Sequence, residues 1–317
     1  MKKITLILLL VALISAVFTL NGCRQNRNVV RQEGKINVTA TIFPAYDFVR
    51  QIAGDKVNLT MLLSPGAESH SFEPSPRDII TIQTSDVFVF VGGDSDMWIE
   101  RILQSMDTEH MSIFAMIDFV DLVEGVACDH DHDDPAHICG DVEYDEHIWT
   151  SPRNVIMIVR EIAELLCEVD PVNADFYNEN TLAYIEELEK LDAAFTEVAA
   201  GAKRNTIVFG DRFPFRYFAD AYDLEWHAAF PGCSTETEPS AATVAFLINK
   251  IRAQRIPVVF HIELSNERMA NTISGETGAK KLLLHSAHNI TRRDFEAGLG
   301  YLELMRHNVD TLREALH

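Results

Sequence analysis

Short runs of apolar, largely β-branched and aromatic residues recur along this chain, and between them the apolar positions switch to helical spacing; this alternation restricts the fold more than any other feature. Ile36 to Ile42 reads as a first strand, Phe43-Pro44 as its turn and Ala45 to Gly54 as a helix ended by glycine. Val57 to Leu63 is a second strand, Pro76 to Thr84 a short helix and Trp98 to Met106 another. Val87-Phe-Val-Phe-Val91 is a continuous apolar run suited to a strand buried on both faces of a parallel sheet. Ser151-Pro152 opens a further helix, with serine at the N-cap and proline at the first helical position. The βαβα order predicts an α/β fold of mostly parallel sheets covered by helices.

From Ala174 to about Ala200 the chain has no Gly or Pro and carries Phe176, Leu182, Tyr184, Ile185, Leu188, Leu191, Phe195 and Val198 at helical spacing. One helix of that length runs ~40 Å at ~1.5 Å per residue, long enough to span two domains. Beyond it come a strand at 206–209, helices at 215–222 and 241–254, a strand at 258–262, a helix at about 266–277, a strand at 281–285 and a final helix at 293–316. We therefore expect an N-terminal lobe over 35–173, a rigid linking helix over 174–202 and a C-terminal lobe over 203–317, with no internal sequence repeat.

The start of the chain points to a compartment. Met1-Lys2-Lys3 is basic and Ile4 to Leu20 is unbroken apolar sequence, the form of a signal peptide over 1–22. Leu20-Asn21-Gly22-Cys23 resembles a bacterial lipobox, in which Cys23 takes lipid and 23–34 becomes a polar tether to the membrane; a single uncleaved anchor is the alternative. Both readings put the folded part outside the cytoplasm. The formal net charge of −21 makes nucleic acid an unsuitable partner and cations suitable ones.

An acidic, histidine-rich segment over 128–146 fits that charge. His130, His132 and His137 stand among Asp129, Asp131, Asp133 and Asp134, without the apolar period of a packed helix or strand. Imidazole and carboxylate are common ligands of first-row metals, so the segment reads as a loop for auxiliary, exchangeable metal. Cys128 and Cys139 bracket it and could form a disulfide in an oxidising compartment or serve as thiolate ligands, while Cys167 and Cys233 read as small buried residues.

Gly66-Ala-Glu-Ser-His70-Ser-Phe-Glu73-Pro-Ser-Pro-Arg-Asp78 resembles the first metal-ligand motif of the zinc and manganese substrate-binding lipoproteins of ABC transporters, the cluster A-I type. Asp145-Glu-His147-Ile-Trp-Thr-Ser-Pro resembles their second motif, and the acidic His-rich loop before it is typical of zinc members. Glu238-Pro239-Ser240 and Gly278-Ala279 match as well, so the resemblance covers essentially the whole chain after the signal.

That resemblance implies two α/β lobes joined by a long rigid helix, with metal held between them by two ligands from each. His70 and His147 are the matching N-terminal ligands; each also stands at the end of an apolar stretch in a loop, where an imidazole can turn inward at little cost. Glu68, Glu73 and Glu146 are candidates to orient their ring nitrogens. The C-terminal half departs from the pattern. The residue three before the Phe215-Arg-Tyr217-Phe218 run, His or Glu in relatives, is Arg212, a permanent cation, so Asp211 is the expected replacement, an ion pair with Arg212 being its other reading. The position after the last strand, usually Asp, corresponds to His285, with His288, His261, Glu263 and His227 as competitors.

Three histidines and one carboxylate suit Zn2+; Mn2+ prefers more oxygen. The implied role is extracytoplasmic capture of metal by a monomer and delivery to a membrane permease. A manganese-binding or adhesin lipoprotein is the alternative. A zinc hydrolase is the remote one, since no His-Glu-x-x-His helix or Gly-x-Ser-x-Gly elbow is present and the chain reads as non-enzymatic.

Overall fold

The computed structural model describes residues 34–67, 72–125, 144–230 and 239–317. The signal, Cys23 and the tether, His70, the histidines and cysteines of the 128–139 segment, and Cys233 lie outside the described residues. Among those described, no helix is long and apolar enough to cross a membrane.

The N-terminal half builds β1 (Asn37–Ala40), α1 (Phe43–Ala53), β2 (Asn58–Met61), α2 (Pro76–Gln83), β3 (Val87–Phe90), α3 (Met97–Leu103) and β4 (Ser112–Ala115). The four strands pair in parallel in the order β2-β1-β3-β4. Central β3 is buried at every position, as its unbroken apolar run requires. Helix α4 (Pro152–Val169) starts at proline after Ser151, where a missing N–H is no loss, although the serine side chain makes no capping bond. Next comes α5 (Ala174–Ala200), 27 residues long.

The C-terminal half builds β5 (Thr206–Arg212), α6 (Arg216–Ala221), β6 (Glu225–Phe230), α7 (Ala241–Gln254), β7 (Val258–His261), α8 (Arg268–Thr277), β8 (Lys280–Leu283), α9 (Arg292–Glu296) and α10 (Tyr301–Leu316). Its strands are also all parallel, in the order β6-β5-β7-β8. Two edge strands, β4 and β6, are additions to the sequence reading, and the expected single C-terminal helix is two. Gly298, at φ +78, ends α9 in a conformation that side-chained residues avoid, and α10 restarts after Gly300.

Helix α5 packs on α1, α4 and α10, with Arg153 of α4 bonded to Asp192 in its second half. Its buried stripe runs Tyr177, Thr181, Tyr184, Ile185, Leu188, Leu191, Phe195 and Val198, matching the predicted face except for exposed Leu182 and half-buried Phe176. Each large apolar side chain buried this way contributes about 1.5–3 kcal/mol. One continuous hydrophobic cluster takes residues from both sheets and from α5, so residues 36–317 hold together as one unit. Specific bonds add to it. Asp47, fully buried on α1, accepts from both Nε and Nη2 of Arg50 and from the first amide of α10, Tyr301 N, at 2.7 Å, which neutralises a helix N-terminus with a carboxylate from the other half. The Asn289 amide donates to Ser64 O and Ala67 O, and Gly66 N donates to Ile290 O.

Candidate metal centre between the two sheets

His147 sits in the short connection before a 3-10 turn at Ile148–Thr150 and is 1% exposed. A buried imidazole needs a partner, and Asp145 supplies it: one carboxylate oxygen accepts both the His147 backbone N–H (2.8 Å) and ring Nδ1 (3.0 Å). Burial alone would raise Asp145, but the His147 ring and the two bonds from His147 outweigh it and hold the carboxyl below its ordinary range. With Nδ1 donating to a carboxylate, Nε2 carries the lone pair, the tautomer a metal ligand needs.

The turn around His147 is fixed from several sides. Thr150 Oγ1 donates to His147 O (2.8 Å), and Tyr217 on α6 donates its hydroxyl to Asp145 O (2.8 Å). Trp149 Nε1 donates to Ser286 O (2.8 Å), and Trp149 O accepts from Tyr301 (2.8 Å). The N-terminal histidine is thus held by residues of the C-terminal half.

From that half, His288 meets it. The two rings stand 5.4 Å apart between centroids at 82°, and His288 also lies 5.0 Å from Trp149. Two imidazoles gripping one tetrahedral metal through nitrogens at ~2.1 Å put their centroids roughly 5 Å apart, so the pair already has the spacing of two zinc ligands. Its loop is set by strain and by one carboxylate. Ala287, completely buried, has φ +56, and Glu263 accepts Ser286 N (2.7 Å), Ser286 Oγ (2.7 Å) and His288 N (3.1 Å). Burial pushes Glu263 up; those three donors oppose it.

Asp211 lies one residue before the end of β5, where Gly210 permits the close approach that places it: a Cβ there would stand 2.4 Å from Ala270 Cα on α8. Its carboxylate, 8% exposed, accepts the backbone N–H of Arg212 (2.9 Å) and of Ile262 (3.3 Å). Those bonds fix the orientation of the carboxylate.

His285 goes elsewhere. Its ring faces His307 on α10 at 5.3 Å, with His261 and Asp294 as its other titratable neighbours, while its backbone is clamped by Asn308. The structure therefore brings His147 together with His288 and parts His285 from them. His261 is nearly buried and His227 pairs with Glu225 on β6. The orienting carboxylate is Asp145; Glu146 instead accepts Ser95 N (2.5 Å), and Glu73 is exposed. The spacing Asp-x-His was visible in the sequence but its role was not read from it.

Beside His288 and Trp149 lies a small cleft bounded also by Thr41, Ile42, Leu63, Phe72, Val91, Ser95, Asp96, Trp98 and Glu146. Burial and the neighbouring Glu146 raise Asp96 to about 7 against bonds from the Gly92 and Val91 amides. Among the described residues no three His, Cys, Asp or Glu side chains converge closely enough to hold a metal by themselves.

Comparison with known proteins places the chain in a family. The family model for the zinc-uptake complex component A, periplasmic, matches residues 38–315. The zinc-binding lipoprotein AdcA of Streptococcus pneumoniae is 33% identical over 317 residues, covering 99% of this chain and 61% of that protein, so this chain spans about three fifths of that relative. The high-affinity zinc uptake system protein ZnuA of Bacillus subtilis is 30% identical over 282 residues, 89% of this chain and 88% of that protein. The crystal structure of the Zn(II)-bound ZnuA-like domain of Streptococcus pneumoniae AdcA superposes with a TM-score of 0.74 at 30% identity, covering 89% of this chain and 99% of that one. With both sheets and the linking helix inside the matched region, the chain belongs to the family of periplasmic A components of zinc-uptake complexes.

Proposed function

We propose that this chain is the extracytoplasmic binding component of an ABC transporter, which captures Zn2+ between the two lobes and delivers it to a membrane permease. The observation that carries this reading is the His147–His288 pair, one ring from each half, at the separation two zinc ligands require and with the His147 tautomer set by Asp145. His70, from the motif at 66–78, supplies a third nitrogen, and Asp211, which does not converge with His147 and His288 among the described residues, joins them as the carboxylate when metal binds. His288 takes the fourth place in this set in preference to His285. Three nitrogens and one oxygen favour Zn2+ over Mn2+.

Binding releases protons as the imidazoles become neutral ligands, which couples capture to pH. The 128–146 segment, through His130, His132 and His137, raises the local metal concentration, and Cys128 and Cys139 close it as a disulfide. Lipid on Cys23 anchors a monomeric protein to the outer face of the membrane, with lobes over 35–173 and 203–317 about the helix at 174–202. Capture needs no bond-making step, and the chain acts without catalysis. The bonds across the lobes, such as Trp149 to Ser286 and Asp47 to Tyr301, favour local loop ordering on binding over wide hinge closure. The test is calorimetric titration of the protein with Zn2+ beside growth of a deletion strain in zinc-limited medium. One tight equivalent and a growth defect repaired by zinc support the reading; absence of a tight equivalent rejects it.

A further inference from the structure

His285 and His307 form a second ring pair, 5.3 Å apart at 75°, nearly the geometry of His147 and His288. An edge-to-face aromatic contact falls in the same range, so separation by itself decides nothing. The nitrogens decide it. Neither ring nitrogen of His285 has a hydrogen-bond partner among the described residues, its recorded bonds being those of its backbone N–H and carbonyl to Asn308. His307 has only a long contact from Nδ1 to Thr311 Oγ1, at 3.5 Å. A half-buried histidine ordinarily satisfies at least one ring nitrogen within the protein. Here a partly buried ring and an exposed one lie side by side, with both nitrogens of His285 and Nε2 of His307 without a hydrogen bond among the described residues.

We infer that His285 and His307 form a second, weaker site for a divalent transition cation on the C-terminal lobe, completed by water and separate from the centre between the lobes. Two protein nitrogens with open remaining positions suit an imidazole-preferring cation such as Zn2+, and hard cations are excluded by the absence of oxygen donors from the pair. Burial, with His307 and His261 adding to it, holds His285 down at about 4, so its ring is neutral and its lone pair available at physiological pH. Asp294 is the nearby negative charge that a bound cation would gain from. Asn308 clamps the His285 backbone on both sides and stands next to His307 on α10, which ties the two rings into one frame.

The site is tested on the whole protein with Zn2+ as the probe. Titration should give a tight phase followed by weaker equivalents. His307→Ala, at an exposed position, should remove one of the weaker equivalents and leave the tight phase unchanged; His285→Gln should do the same. His147→Ala should remove the tight phase and keep the equivalent that His307→Ala abolishes, so failure of one site is distinguishable from failure of the other. In zinc-soaked crystals an anomalous peak should lie between the His285 and His307 rings. The same number of weak equivalents in wild type, His307→Ala and His285→Gln, or no peak between the rings, overturns the inference.

Discussion

Two histidine pairs of nearly equal geometry, His147–His288 and His285–His307, differ in how their rings are held. His147 and His288 come from opposite halves, His147 is almost completely buried, and each is braced: Asp145 on the first ring, Glu263 on the backbone of the second, Trp149 and Tyr217 across the seam. His285 and His307 come from one half, one ring is exposed, and no hydrogen bond among the described residues orients the His285 ring. The contrast teaches that spacing makes a metal site possible, whereas preorganisation makes it tight, because ligands already held in place lose little freedom on binding.

The largest expected effect comes from breaking the braced pair. His147→Ala should lower zinc affinity more than about 100-fold, since loss of an orienting partner alone costs about 10–100-fold. Asp145→Asn, which keeps the shape but not the charge, should fall within that 10–100-fold range; isothermal titration of both variants checks the order. Equal affinity of Asp145→Asn and wild type would mean that the carboxylate does not orient the ligand.

A smaller effect should follow from loosening the second brace. Glu263→Gln can accept fewer of the bonds from Ser286 and His288, so it should cost about 1–3 kcal/mol of stability, read as a lowered Tm, together with a loss of zinc affinity smaller than that of Asp145→Asn. If the affinity is unchanged while the Tm falls, the Ala287–His288 loop is held by its other contacts.

The smallest effect concerns pH and the unbraced pair. His285 is lowered from 6.5 to about 4 by burial first, then by His307 and His261. Between those values the unfolded chain takes up a proton that the folded protein refuses, so this group's contribution to stability is complete above about 6.5 and is lost as pH falls toward about 4. His285→Gln should flatten that part of the stability-against-pH curve in urea unfolding of the metal-free protein. A slope identical to wild type would place the His285 ring in water.

Much of the fold could be read from residue spacing. The buried stripe of α5 and the apolar run of β3 carry strong local signals, because their burial demands a period or its absence. Strands β4 and β6 carry weak ones: both are sheet edges with partly exposed faces, and Glu225-Trp-His-Ala-Ala-Phe230 lacks the β-branched run of a central strand. The helix break at Gly298 and Gly300 is masked in the sequence by an apolar pattern that continues across it. In the candidate site, His147 is singled out by its motif, but no motif tells which of His285 and His288 lies against it. They stand three residues apart in one loop, and which one turns toward His147 depends on the left-handed backbone at Ala287 and on Glu263, a residue from a different strand connection. Such information is tertiary, and no local pattern encodes it.

The most direct test of the account compares two substitutions in that loop, His288→Ala and His285→Ala, by the affinity of the tight zinc equivalent. The account predicts that His288→Ala weakens this equivalent at least tenfold while His285→Ala leaves it as in wild type. The opposite order, with tight binding lost in His285→Ala and retained in His288→Ala, would contradict it.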